Sequence, residues 1–254
     1  MSDQQVVCWV IDPGHTRLKL AAFSAESSAE GEPLCSGAWA WDALAQQPAP
    51  WKTWPEPSNI YTLDRAGARV RLGALEWPCE ITCIGPEATA HLQCDYTEGS
   101  PGMDRWANMA ACHAQSPEGA NIIIDAGTCT TIDLRVGSRF LGGAILPGLQ
   151  MRAQAMASDT DTLPALDFTS AMRPHFPGRS TKESLAAGVV CGAVAECAGL
   201  ARQLLEKSPD ARIIVTGGCA QYFDSVDGLM TFADSLLTLK GVSALAAHLS
   251  DASH

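Results

Sequence analysis

A short acidic turn follows a buried strand twice in this chain, and no other feature constrains the fold as strongly. The first copy, Asp12-Pro13-Gly14-His15-Thr16, follows the apolar residues 6–11, and the second copy, residues 125–131, follows the apolar residues 122–124. Continuous apolar runs are typical of strands that are buried on both faces of a sheet. A carboxylate at a strand end, a glycine and a hydroxyl together suit a phosphate with its divalent ion. The repeat predicts a duplicated fold that grips one nucleotide from two sides.

The composition indicates a soluble globular protein of one large domain or two packed halves. The 254 residues are 46% hydrophobic and 18% charged, and domains usually contain about 100–200 residues. The net charge of −11 argues against a nucleic-acid partner, because such partners are bound by clustered Lys and Arg side chains. No apolar run approaches the roughly 20 residues of a membrane span, so no membrane association is expected.

The cysteines and the first residues of the sequence favour a cytoplasmic location. Residues 1–5 lack the basic start and the apolar stretch of a signal peptide. The ten cysteines form no Cys-x-x-Cys pair, and the six histidines are scattered among them. We therefore expect reduced, mostly buried thiols rather than a metal cluster or a disulfide framework.

Hydrophobic patterning predicts strands and helices in both halves of the chain. Residues 18–23 are expected to return as a strand, so that residues 12–16 form a hairpin connection. Residues 25–59 are expected to be largely irregular, with one short strand or helix. The remaining predictions are strands at 81–86, 122–125, 131–136, 140–145 and 212–216, and helices from about 87, at 104–114, at 149–157 and at 182–206.

The longest predicted helix, residues 182–206, begins at a capping box formed by Ser180 and Glu183. Small residues recur along one side of it: Gly188, Gly192, Ala195 and Gly199. Small residues permit another helix to approach closely, which suits either tight internal packing or a dimer interface.

A third acidic element, Gly102-Met103-Asp104-Arg105, combines a glycine, a carboxylate that can accept a proton and an arginine that can clamp a carboxylate. From the residues alone, Asp104 is equally explained as the N-cap of the helix that follows. Taken in order with other motifs, this element resembles type III pantothenate kinase. Those motifs are Asp12-x-Gly-x-Thr16, Asp125-Ala-Gly-Thr-x-Thr-Thr-x-Asp133, Gly142-Gly143-x-Ile145-x-Pro147-Gly148, Thr160-x-x-Leu163-Pro164, Thr216-Gly217-Gly218 and Leu239-x-Gly241-Val242.

The resemblance implies an α/β fold of two related halves with actin/Hsp70-like, or ribonuclease H-like, topology and a nucleotide cleft between the halves. The expected halves are residues 1–115, with the phosphate-binding hairpin and the pantothenate motif, and residues 116–254, with the second acidic turn. The implied activity is ATP-dependent phosphorylation of pantothenate at its primary hydroxyl, the first committed step toward coenzyme A. Mg²⁺, a monovalent cation such as K⁺ or NH₄⁺ and a homodimer are also implied.

The resemblance further implies roles for individual residues. Asp104 matches the general base, Asp125 matches the ligand of the monovalent cation, and Asp12 would face the divalent ion through the phosphates. The residues expected to contact ATP are Asp12, Pro13, Gly14, His15, Thr16, Arg17, Leu18, Lys19 and Thr128. The residues expected to contact pantothenate are Tyr96, Gly102, Met103, Asp104, Arg105 and Thr181.

Three of these roles have alternatives. Lys19 lies within the returning strand and is equally explained as a solvated side chain. Thr181 is equally explained as a residue that starts a helix. Arg105 either holds the carboxylate of pantothenate or supports the site.

His15 stands where the family usually has asparagine. An imidazole is larger than an amide, and its charge changes near neutral pH. A protonated ring would help to hold phosphate, which predicts ATP affinity that weakens above about pH 7. The departure motivates a second interpretation, a non-catalytic family member that binds a nucleotide or a partner protein in regulation. A third is another phosphotransferase, or a polyphosphate hydrolase, of the same superfold.

Overall fold

The computed structural model describes residues 7–24, 31–46, 49–65, 67–166, 173–223 and 228–251. Residue 6 of the first predicted strand, and residues 25–30 and 47–48 of the stretch expected to be irregular, lie outside this part of the chain.

The described residues form two compact units. The first contains the residues up to Glu118 together with those from Leu236 onwards, and the second runs from Gly119 to Ser235. The halves expected from the sequence, 1–115 and 116–254, differ from these units in the placement of the C-terminal segment. That segment belongs to the first unit because its helix packs there.

The first unit contains the first six strands and four of the α-helices. Its strands are β1 (Val7–Pro13), β2 (Arg17–Ser24), β3 (Cys35–Ala40), β4 (Asn59–Leu63), β5 (Ile81–Ile84) and β6 (Gln93–Cys94). Its helices are α1 (Trp41–Gln46), α2 (Ala68–Gly73), a 3-10 helix (Pro86–Thr89), α3 (Met103–Gln115) and, at the end of the chain, α6 (Leu237–Asp251).

The second unit contains the remaining strands and two α-helices. Its strands are β7 (Ala120–Ala126), β8 (Cys129–Val136), β9 (Arg139–Pro147), β10 (Arg212–Thr216) and β11 (Thr231–Ala233). Its helices are α4 (Leu149–Ser158), α5 (Thr181–Lys207) and a 3-10 turn (Ala220–Tyr222).

The two units repeat one sheet topology. In the first, the strand order is β3-β2-β1-β4-β5; β2 is antiparallel to β1 and β3, whereas β4 is parallel to β1 and β5. In the second, the order β9-β8-β7-β10-β11 has the same directions. The five strands named in each unit therefore form a meander extended by two parallel strands. The duplication predicted from the two acidic turns is confirmed, since Asp12 and Asp125 end equivalent strands.

Helices α3 and α6 pack closely against each other in the first unit. Gly241 of α6 lies so near to Ala107 of α3 that any side chain at this position would meet the Ala107 carbonyl group. A buried hydrogen bond joins the same helices, because Thr238 Oγ1 donates to Asn108 Oδ1 at 2.8 Å. These contacts account for the placement of the C-terminal segment.

Tryptophans from the stretch expected to be irregular build part of the first core. The ring centroids of Trp9 and Trp54 lie 5.8 Å apart, and the rings of Trp51 and Trp77 stack at 4.7 Å. Trp39 packs edge-on against Trp51 at 5.6 Å. The stretch thus contributes packing as well as the elements β3 and α1.

Helix α5 begins as predicted and forms much of the second core. The side chain of Ser180 accepts a hydrogen bond from the Glu183 N–H at 3.2 Å, while Glu183 Oε2 accepts from the Arg179 N–H at 2.7 Å. By length and composition α5 could cross a membrane, with a mean hydropathy of 1.7 over 18 residues. This corrects the expectation that no segment approaches a span. Half of that window is buried inside the protein, as in a globular core helix.

Most of the predicted elements agree with the structure, and three differences stand out. The helix expected from about residue 87 is a single 3-10 turn. Strands β4, β6 and β11 and helices α2 and α6 were not predicted. The cysteines are all free, but only Cys112 and Cys197 are buried, so the expectation of mostly buried thiols was wrong.

Candidate active site

Asp12 occupies the carboxyl end of β1 and is flanked by two cations. It is 4% exposed, and its Oδ2 atom lies 3.4 Å from Lys19 Nζ across the β1–β2 hairpin. Its Oδ1 atom lies 3.1 Å from Arg65 Nη1. Arg65 follows shortly after the end of β4, which runs parallel to β1, so both strands deliver side chains to one edge. The charge of the buried carboxylate is thereby compensated, although its Oδ1 atom has no hydrogen-bond partner among the described residues.

Asp104 lies in the first turn of α3 and shares Arg65 with Asp12. Asp104 Oδ2 is 3.0 Å from Arg65 Nη2, and the Asp104 side chain is 42% exposed. The N-cap of α3 is Gly102, so the explanation of Asp104 as the N-cap does not hold. One guanidinium therefore joins a buried carboxylate to a carboxylate that faces solvent.

The turn between β1 and β2 is held by side chains outside the predicted motif. Trp41 Nε1 donates to the Gly14 carbonyl at 3.0 Å, and Arg71 Nη1 lies 3.2 Å from the carbonyl oxygens of both Gly14 and His15. The Arg71 guanidinium also lies 4.7 Å from the centre of the Trp41 ring. Trp41 and Arg71 consequently hold the backbone of the turn in place, while the His15 side chain is exposed.

The other residues of the predicted ATP segment divide into exposed and buried ones. Thr16 and Arg17 are exposed, whereas Pro13 is buried and Leu18 is 0% exposed in the first core. Leu18 can offer a ligand only its backbone, because its side chain packs inside the unit. The predicted ATP contact at Leu18 is therefore limited to its backbone atoms.

Tyr96 and Arg105 are brought together in the first unit. Arg105 is 6% exposed, and its Nη1 atom donates to the Tyr96 hydroxyl at 2.8 Å. This geometry favours Arg105 as support for the site over Arg105 as a clamp on a ligand carboxylate. Met103 begins α3 directly after Gly102, so the four motif residues share one helix start.

The second unit places Asp125 between two threonines. Asp125 pairs with Thr131 on β8 and with Thr216 on β10, so the three side chains point to the same face of the sheet. Thr216 is 0% exposed. Among the described residues, neither threonine hydroxyl has a hydrogen-bond partner. Gly217 has φ of +96°, and a Cβ atom at this position would collide with Asp125 Oδ1.

Thr128 and Thr181 are both exposed in the second unit. Thr128 sits in the turn after β7, where Gly148 approaches so closely that a Cβ atom would collide with the Thr128 carbonyl. Thr181 is the first residue of α5, after the N-cap Ser180. Thr181 thus starts a helix, as the alternative explanation of this residue expected, and its proposed contact with a ligand stays a prediction.

Comparison with known proteins identifies the family to which these motifs belong. A profile of type III pantothenate kinase matches residues 8–203, more than half of the chain. The chain belongs to the type III pantothenate kinase family. The type III pantothenate kinase of Alkalilimnicola ehrlichii is 32% identical over 220 residues, which cover 83% of this chain and 86% of that protein. The type III pantothenate kinase of Thermus thermophilus is 39% identical over 143 residues, or 56% of each chain.

Two solved structures share the fold of this type III pantothenate kinase family member. A Campylobacter jejuni protein described as a putative Baf family transcriptional activator has a TM-score of 0.58 and 18% identity, covering 96% of this chain and 99% of that chain. The ethanolamine utilization protein EutJ of Carboxydothermus hydrogenoformans has a TM-score of 0.53 and 12% identity, covering 94% and 89%. At these identities the likeness concerns the fold alone.

Sequence reasoning missed Arg65, Trp41 and Arg71 in the site of this family member. All three follow or lie in short elements, namely the end of β4, α1 and α2, within or just beyond a stretch that looked irregular. Recognising β4 as a parallel neighbour of β1 would have placed Arg65 beside Asp12. No local signal distinguishes Trp41 or Arg71.

Proposed function

We propose that this protein transfers the γ-phosphoryl group of ATP to the primary hydroxyl of pantothenate, giving 4′-phosphopantothenate in the first step of coenzyme A biosynthesis. Membership of the type III pantothenate kinase family supports this activity. The observation that carries the proposal is the pair of carboxylates, Asp12 and Asp104, on the two sides of the Arg65 guanidinium.

The two carboxylates suit two different tasks. Asp104 is exposed enough to meet an alcohol and can accept its proton, late in a transfer whose transition state is loose. Asp12 is buried beside Lys19 and Arg65, where it orients cations toward a polyphosphate. The turn from Pro13 to Arg17 and Thr128 would contact ATP, and Tyr96, Gly102, Met103 and Thr181 would contact pantothenate, with Arg105 positioning Tyr96.

The residues of the first unit fit Mg²⁺ that enters with ATP rather than a resident ion. Mg²⁺ prefers oxygen ligands and usually combines one or two carboxylates with substrate phosphates. No cluster of three or more metal-ligating side chains occurs in the described ranges. Both Asp12 oxygens already face cations, so Asp12 would meet the ion through the phosphates. The bound ion supplies neutralisation of phosphate charge.

The second unit fits a monovalent cation at Asp125. The carboxylate of Asp125 shares one sheet face with the hydroxyls of Thr131 and Thr216, which are buried and lack partners among the described residues. Oxygen atoms of this kind satisfy K⁺ or NH₄⁺ without a second negative charge. We infer that these threonines help Asp125 to hold the activating cation.

A homodimer and a cytoplasmic location complete the proposal. On α5, Gly188 and Ala195 are exposed, and a Cβ atom at Gly188, Gly192 or Gly199 would meet no atom within 4 Å. This accessible strip of small residues is available to a second copy of the chain. All ten cysteines are free thiols, as in proteins of a reducing compartment.

A product assay tests the proposed function. Purified protein is incubated with ATP, Mg²⁺, K⁺ and pantothenate, and phosphopantothenate is measured by mass spectrometry, with Na⁺ replacing K⁺ in a parallel series. We expect product that depends on pantothenate and falls strongly without K⁺.

Calorimetry with ATP and with pantothenate identifies a non-catalytic regulator, which would bind ATP but not pantothenate. Light scattering gives the oligomeric state, for which a dimer is expected.

A further inference from the structure

Among the described residues of the first unit, the Arg65 guanidinium contacts both proposed reaction carboxylates. Nη1 lies 3.1 Å from Asp12 Oδ1, and Nη2 lies 3.0 Å from Asp104 Oδ2. A guanidinium carries five N–H donors in a rigid plane, which is more than these two contacts require. Arg65 therefore fixes the spacing of the two carboxylates and retains donors for a third acceptor.

The surroundings of Arg65 differ from those of a purely structural ion pair. An ion pair that solvent reaches contributes little to stability, so stability alone does not account for the contact between Arg65 and Asp104. Here the Arg65 side chain is 25% exposed and Asp104 is 42% exposed, while only Asp12 is buried. The bridge thus opens on the side where Asp104 would receive the acceptor hydroxyl.

Charge balance points in the same direction. Lys19 and Arg65 together neutralise Asp12 and Asp104. Without Arg65, the remaining Lys19, Asp12 and Asp104 would carry a net negative charge and would repel an incoming polyphosphate. With Arg65 present, a phosphoryl group can approach between the two carboxylates and meet a cation there.

We propose that Arg65 is a further catalytic residue, one that donates to the transferred phosphoryl group between Asp12 and Asp104. This inference rests on the proposed function, in which Asp12 serves the phosphates and Asp104 the acceptor hydroxyl. The phosphoryl group must then pass between them, where the guanidinium lies. Arginine suits this task because its fork matches two phosphoryl oxygens and its charge offsets theirs in the transition state.

The test compares Arg65→Gln and Arg65→Lys with wild type in the full chain. We expect Arg65→Gln to lower kcat about 100-fold, with KM for ATP and for pantothenate changed less than about threefold. Arg65→Lys keeps the charge but loses the fork, so a loss of about tenfold is expected. Arg69→Gln is the matched control, because Arg69 lies on the following helix α2, is 72% exposed and pairs only loosely with Asp64 at 3.7 Å.

A second readout separates transition-state contact from a structural role. Aluminium fluoride, bound together with ADP and pantothenate, mimics the transferred phosphoryl group. The affinity of the protein for this combination should fall about 100-fold in Arg65→Gln, while the affinity for ADP alone is retained. A wild-type kinase whose Arg65→Gln variant has unchanged kcat would overturn the inference but keep the proposed function. An inactive wild type would overturn both. If Arg65→Gln does not fold, Arg65→Lys decides: a folded variant with undiminished kcat contradicts the inference.

Discussion

Lys19 lies directly across the β1–β2 hairpin from Asp12, and its Nζ atom is 3.4 Å from Asp12 Oδ2. The side chain of Lys19 is only 24% exposed. Lys19 is therefore not simply a solvated side chain of the returning strand. The antiparallel register of the hairpin fixes this pair. It thereby places a cation beside a buried carboxylate at the carboxyl end of β1.

Loss of the Lys19 charge should weaken ATP binding. We expect Lys19→Met to raise KM for ATP about tenfold, since a charge-assisted hydrogen bond to phosphate contributes roughly 1.5–3 kcal/mol. Steady-state kinetics measures the change. Lys52→Met is the control, because Lys52 is 65% exposed and lies 3.9 Å from Glu76. Equal KM values in the Lys19 variant and the wild type would remove Lys19 from the ATP site.

Loss of the Arg71 contacts with the β1–β2 turn should raise KM for ATP by less than loss of the Lys19 charge. Arg71 holds the carbonyls of Gly14 and His15, so Arg71→Met should loosen the turn and raise KM for ATP about threefold to tenfold. We expect kcat to change little, because Arg71 is placed under the turn rather than beside the proposed reacting groups. Arg69→Met provides an exposed control on the same helix, and an Arg71 variant that loses kcat at unchanged KM would contradict this role.

The close crossing of α3 and α6 predicts a sensitive glycine. Gly241→Ala forces a methyl group against Ala107, so the free energy of unfolding should fall by about 1–3 kcal/mol. The control is Gly73→Ala at the end of α2, where a Cβ atom meets nothing within 4 Å. Denaturant unfolding measures both variants. Equal stability of Gly241→Ala and wild type would show that the helices can separate at no cost.

His91 predicts a loss of stability in mild acid. Its ring stacks on that of His248 with centroids 3.6 Å apart, and burial, followed by His248 and His113, lowers the pKa of His91 to about 4. The unfolded histidine titrates near 6.5. Between these values the unfolded chain binds a proton that the folded chain does not. Stability from the neutral ring is therefore present above pH 6.5 and lost as the pH falls toward 4.

Replacement of His91 should reduce this pH dependence. We expect His91→Gln to lose about 1 kcal/mol less stability than wild type between about pH 7 and pH 5, a figure reduced for partial exposure of the ring. Denaturant unfolding at the two pH values gives the difference. Identical losses in variant and wild type would mean that the ring is solvated in the folded protein.

The sequence predicts the parts of the fold that local patterns determine. The β1–β2 hairpin, the β7–β8–β9 meander and helix α5 follow from apolar runs, turn residues and a cap. Strand β4 was missed because its five residues follow an irregular stretch and are recognisable only beside β1. Arg65 was missed for the same reason, since its closeness to Asp12 and Asp104 is a product of strand order. Long-range pairing, unlike periodicity, leaves no local signal.

The most direct test of this account is phosphopantothenate formation by wild type, Asp104→Asn and Asp210→Asn. Asp104 is the proposed base, whereas Asp210 is an exposed aspartate in the second unit and serves as the matched control. We predict that wild type and Asp210→Asn form product, and that Asp104→Asn loses at least about 100-fold in kcat while calorimetry gives unchanged ATP affinity. The account would be contradicted if Asp104→Asn formed product at the wild-type rate. It would also be contradicted if none of the three proteins formed product.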